Sequence, residues 1–92
     1  RDPRAADIRA DVYSLGCTLY YLLAGEPPFP GGSLTSKLLR HQDEKPRRLD
    51  ALPGGLWAVV ARATSKLPES RFATPGELAE ALDVQALERH LR

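Results

Sequence analysis

Asp11 stands at the head of a run in which ten of the thirteen residues from Val12 to Ala24 are apolar or aromatic. A carboxylate in that place can accept hydrogen bonds from the orphan N–H groups of a first helical turn. From the residues alone, Asp11 is a helix cap. Arg71, within Pro68-Glu69-Ser70-Arg71-Phe72, reads on its own as a surface charge. Cys17 is the single cysteine and lies inside the apolar run, so it forms no internal disulfide and reads as a buried, inert thiol. His41 and His90 are far apart, with no cysteine or paired acid at ligand spacing, and read as solvated histidines rather than metal ligands. Ser14, Ser33 and Thr74 have no base placed to activate them. The Lys45-Pro46-Arg47-Arg48 run reads as a solvated loop, and Tyr20, Tyr21 and Trp57 as packing residues. No nucleophile–base pair and no metal set emerges.

These groups depend on the elements that carry them. A helix without a polar face must be surrounded by lipid or by the rest of a fold. Thirteen residues rise only about 20 Å, short of a membrane crossing, so the helix from Asp11 to about Ala24 is expected at the centre of a packed core. Pro3 is expected to keep at least the start of residues 1–10 out of the helix. Gly25 supplies a left-handed stop, and Pro27-Pro28-Phe29-Pro30 a rigid turn with Phe29 as its apolar anchor. Ser33 caps a second helix ending near Gln42, with Leu34, Leu38 and Leu39 on one side. Leu56, Val59, Val60 and Ala63 recur at helical spacing in a third helix, about Leu56 to Lys66. Thr74-Pro75-Gly76-Glu77 is a capping box that opens a fourth, turning Leu78, Ala81 and Leu82 inward. Residues 85–92 extend that helix or begin a linker. No strand pattern, repeat or low-complexity tract is present.

The bulk composition excludes several classes. Thirteen basic and twelve acidic residues are interspersed for a net charge of +1, so no field favours nucleic acid or a membrane surface. No signal-like apolar run precedes Asp11, and a cytoplasmic setting is expected. The 92 residues contain no methionine and begin at Arg1, which suggests a piece of a longer polypeptide.

Taken in order, three motif groups resemble the carboxy-terminal half of the large lobe of a serine/threonine protein kinase. They are Asp11-Val-Tyr13-Ser14-Leu-Gly16, Gly25-Glu-Pro-Pro28-Phe29, and Leu67-Pro68-Glu-Ser-Arg71 followed by the Thr74-Pro75 helix. The likeness runs from about Ala6 to Leu82, and the Ile8 to Tyr13 run and the Pro-Pro-Phe turn are most similar to bacterial kinases of this kind. It implies an all-α helical subdomain over residues 1–84, with one central buried helix and about three amphipathic helices around it. Asp11 resembles the family's aspartate that accepts backbone N–H bonds from the catalytic loop. Gly16 resembles a position where other backbone comes close. Arg71 resembles the arginine that pairs with the glutamate of the Ala-Pro-Glu motif, a task suited to a forked, permanently charged group. Tyr21, Pro28 and Phe29 fall where the resemblance implies a peptide-docking surface. Three positions depart from the pattern: Tyr13 replaces a commoner tryptophan, Tyr21 a frequent glutamate, and Leu67 an aspartate.

A kinase needs a glycine-rich phosphate loop, a strand lysine held by a glutamate, a His-Arg-Asp loop and Asp-Phe-Gly for magnesium. None occurs in these residues. The chain is thus expected to hold no catalytic, cofactor or metal residue of its own. ATP and Mg2+ would belong to the parent kinase, whose amino-terminal part and protein substrates are the expected partners. The alternative is a free-standing helical interaction module derived from a degenerate kinase.

Overall fold

A computed structural model describes the backbone of residues 3–90 and the side chains of residues 4–88. Four helices follow in order: α1 (Pro3–Ala24), α2 (Leu34–Asp43), α3 (Gly54–Ala63) and α4 (Pro75–His90), with a 3₁₀ turn at Pro68–Ser70 before α4. No strand occurs among the described residues.

The first helix corrects one expectation. It starts at Pro3, not at Asp11. Proline at the first helical position loses no hydrogen bond, and the following Arg and Ala residues are strong helix formers. Asp11 therefore lies inside α1 and caps nothing. The stop at Gly25 is as expected: its φ is 80°, and its N–H donates to the Tyr21 carbonyl at 2.9 Å.

The other helices keep their expected starts more closely. Ser33 caps α2, accepting from Ser36 N at 3.1 Å. In the capping box of α4, Thr74 Oγ1 accepts from Glu77 N at 3.1 Å. The Glu77 carboxylate reaches back to Ala73 N at 2.8 Å. Helix α3 begins two residues earlier than expected and ends at Ala63, where the Thr64 hydroxyl donates back to the Val60 carbonyl at 2.9 Å. Helix α4 runs unbroken through Val84 to His90, so the segment after residue 84 extends the helix over its described part.

Val12, Gly16 and Tyr20, spaced by four, form the buried stripe of α1. Val12 packs with Val59, Ala63, Phe72 and Leu78, and Tyr20 with Leu49 and Val60. At Gly16, a Cβ would stand 2.8 Å from Ala63 Cβ and 2.9 Å from Thr64 Cγ2. This contact lets α3 lie directly on α1.

The opposite side of α1 has no such cover. Leu15 is 45 % exposed and Leu22 72 % exposed. The molecule is only 16 Å thick in its shortest direction, little more than one helix with its side chains. The expected wrapping of the central helix is therefore one-sided within this chain. Helix α2 buries no residue and is held by polar contacts described below.

Candidate functional site

The densest set of polar and aromatic contacts lies where α1, the Pro28-Phe29 turn, the end of α2 and the segment after α3 meet. Tyr13, on α1, forms the centre. Its hydroxyl pairs with His41 Nδ1 at 2.5 Å. The Arg71 guanidinium lies over its ring at 4.7 Å from the centroid, and the Lys66 ammonium at 5.7 Å. Phe29 meets the His41 ring edge-on at 4.8 Å and the Lys66 ammonium at 4.8 Å. Cations over aromatic faces are attracted by the ring quadrupole, more so when partly desolvated.

Both cations are also hydrogen-bonded. Lys66 Nζ donates to the His41 carbonyl at 2.6 Å and to the Arg40 carbonyl at 3.3 Å, at the carboxy-terminal end of α2. Arg71 Nε donates to the Ser65 carbonyl at 2.8 Å and Nη1 to the Arg9 carbonyl at 3.1 Å. Arg9 returns the link, its Nη1 donating to the Pro68 carbonyl at 2.8 Å. Two arginines thus stitch α1 to the 3₁₀ turn.

Burial governs the protonation of this cluster. It pushes the Tyr13 phenol well above its usual value, with Cys17 adding to the effect and Arg71 opposing it. Burial also raises the Cys17 thiol, against the neighbouring Tyr13 hydroxyl and the charges of Lys66 and Arg71. It lowers His41, helped by Lys66 and Arg40, and lowers Lys66. At neutral pH the phenol keeps its proton and the imidazole is neutral. A raised thiol is a poor nucleophile and a raised phenol a poor base. The arrangement fastens four segments together. No group of histidine, cysteine and carboxylate side chains suits a metal ion among the described residues.

The residues singled out from sequence fall into two sets. Gly16 and Phe29 are buried, at the α1–α3 crossing and in the cluster around Tyr13, and Arg71 is half-buried in that cluster. Asp11 and Tyr21 lie on exposed faces of α1, and no hydrogen bond or ion pair reaches the Asp11 carboxylate among the described residues. Pro28 and Phe29 are both buried, so of the three expected docking residues only Tyr21 presents surface. The physical reason is the turn itself: two prolines drive Phe29 inward against His41 and Lys66.

Sequence reasoning missed Tyr13, His41 and Lys66 as a unit. His41 reads from sequence as solvated, and nothing in its local sequence marks a partner 28 residues away. The basic loop before α3 is likewise docked in part. Tyr20 donates its hydroxyl to the Arg47 carbonyl at 2.7 Å, and Leu49 is buried.

No family model matches the chain. It is 46% identical over 78 residues to the serine/threonine-protein kinase PknB of Mycobacterium tuberculosis, a match covering 80% of this chain and 12% of that kinase. It is 42% identical over 76 residues to the serine/threonine-protein kinase PkaA of Streptomyces coelicolor, covering 83% of this chain and 14% of that one. With PknE of M. tuberculosis the identity is 39% over 79 residues, covering 83% and 14%. The chain thus spans about an eighth of the length of these relatives. With its motifs in family order on an all-helical framework, it is a fragment of the bacterial eukaryotic-like serine/threonine protein kinases, from the carboxy-terminal part of the large lobe.

Proposed function

We propose that this chain is the helical support of a protein kinase that transfers the ATP γ-phosphate, with Mg2+, to serine or threonine hydroxyls of protein substrates. The fragment supplies no reacting group. Its part is to hold the catalytic loop through Asp11, to anchor the end of the activation segment through Arg71, and to offer peptide-docking surface around Tyr21. A cytoplasmic setting goes with this reading.

The observation that carries it is the one-sided cover of α1. A helix apolar on nearly every side, buried on one stripe and bare on the other, suits a fragment whose second layer comes from other polypeptide. The unpartnered Asp11 carboxylate and the donors of Arg71 not used by Ser65 and Arg9 fit the same view, since a guanidinium has five N–H groups.

The test is to express the reading frame extended upstream and measure radiolabelled phosphate transfer to a generic protein. Magnesium-dependent incorporation is the expected result. An intact upstream half with no incorporation would favour the other reading, a free-standing interaction module. One observation leans that way: Leu34, Leu38 and Leu39 of α2 are all more than half exposed.

A further inference from the structure

A cavity of about 520 Å³ opens between the loop before α3, α3 itself and the segment after it. It shares Lys66 with the cluster around Tyr13 and includes none of the docking residues. Three cationic side chains line it, Lys45, Arg48 and Lys66, and no carboxylate does. Its remaining wall is largely apolar, with Trp57, Ala61 and Leu67 contributing.

We propose that this cavity binds a single anionic side chain of a peptide, a phosphorylated serine or threonine beside an apolar residue. The phosphate part rests on the kinase reading, which supplies phosphorylated protein segments, whereas the preference for an anion next to an apolar group does not.

Each cation is available in a different way. Lys45 is exposed and has no ion-pair partner among the described residues. Arg48 pairs with Asp50 at 3.3 Å, but both side chains are mostly exposed, and such pairs exchange readily for a better ligand. Lys66 spends two of its three N–H groups on the end of α2, leaving one. The guanidinium of Arg48 can grip two oxygens of a phosphate at once, while the lysines act as point charges. Trp57 and Leu67 give a neighbouring apolar side chain somewhere to rest.

The same facts disfavour a nucleic acid. With a net charge of +1 the chain lacks the extended basic surface that a polyanion demands. A cavity of about 520 Å³ with three cations suits a short peptide segment carrying one anionic group.

Trp57 is the only tryptophan in the chain, so its emission reports directly on the cavity. The experiment titrates the 92-residue chain with a short peptide bearing phosphoserine next to leucine, its unphosphorylated counterpart, inorganic phosphate and a single-stranded oligonucleotide. Polarisation of the labelled peptide repeats the measurement in the upstream-extended frame. The expected result is a saturable change in Trp57 emission, with the phosphopeptide binding about tenfold or more tighter than the unphosphorylated one. Inorganic phosphate should compete. The charge reversals K45E and R48E should weaken binding by a similar factor, while K37E, on α2, should leave it unchanged. Equal binding of both peptides, indifference to K45E and R48E, or tighter binding of the oligonucleotide would each overturn the proposal. Since no phosphate is transferred in this assay, its failure leaves the kinase reading where it stood.

Discussion

The Tyr13 hydroxyl and His41 Nδ1 share a hydrogen bond of 2.5 Å that ties the middle of α1 to the end of α2. Burial favours the protonated phenol and the neutral imidazole in this pair. Lys66 completes the link by capping the carbonyls of Arg40 and His41. Since α2 buries no residue of its own, these contacts decide whether it stays docked.

Stability should therefore depend on the charge of His41. Its folded pKa lies below the ordinary 6.5, so below that value the unfolded chain takes up the proton first. The contribution is present above about pH 6.5 and is lost as pH falls through the lower, folded value. Urea midpoints measured from pH 7.5 down to 5.0 should fall, and H41Q should flatten that slope relative to the parent chain. Equal slopes in both proteins would remove His41 from the explanation.

Replacing Lys66 by methionine keeps the stem and deletes the ammonium. Hydrogen bonds to a charged group are worth roughly 1.5–3 kcal/mol. The loss should be local. In native-state hydrogen exchange, amides of α2 should lose protection in K66M while those of α1 and α3 keep most of theirs.

At Gly16 two opposing effects have a clear winner. A larger residue improves helix propensity by up to about 1 kcal/mol. The ideal Cβ, however, would lie 2.8 Å from Ala63 Cβ and 3.2 Å from the Ala63 backbone carbon, and overpacking costs typically 1–3 kcal/mol. A β-branched side chain adds further atoms to the same gap. G16V should lower the urea midpoint, and A63G in the same chain should restore part of the loss.

Much of this framework was legible in the sequence because its signals are local. The capping box at Thr74, the Gly25 stop, the Ser33 cap and the Leu56–Ala63 stripe each span a turn or two. The start of α1 is not legible in the same way, because Pro3 reads as a breaker by its type, whereas at a first helical position proline is an initiator. The Tyr13–His41–Lys66 set was invisible for a different reason. Its members are separated by 28 and 25 residues, and such pairings are decided by how helices pack, which no local pattern encodes. Pro28 and Phe29 show the converse: motif order marked them as surface, and the turn geometry buries them.

The bare face of α1 should make the isolated chain associate. Leu15, Leu19, Leu22, Leu78 and Leu82 line an apolar groove of about 300 Å³ between α1 and α4. Covering one exposed leucine is worth about 1.5–3 kcal/mol. Sedimentation velocity should show mass rising with concentration, and L22E should shift the chain toward monomer without lowering its urea midpoint. A monomer at every concentration would mean that this face tolerates water.

Asp11 separates a local role from a long-range one. Within this chain its carboxylate is exposed and unpartnered, so D11N should change the urea midpoint by no more than about 0.5 kcal/mol in stability. In the upstream-extended frame the same substitution removes the acceptor proposed to hold the catalytic loop, and misplacing reacting groups by about an ångström can cost on the order of 100-fold in rate. The expected pattern is a fall of that order in kcat with a much smaller change in KM for ATP, since Asp11 positions the loop and touches no substrate. A silent D11N in both settings would detach Asp11 from the reaction, and a large stability loss in the 92-residue chain would make it a local structural residue instead.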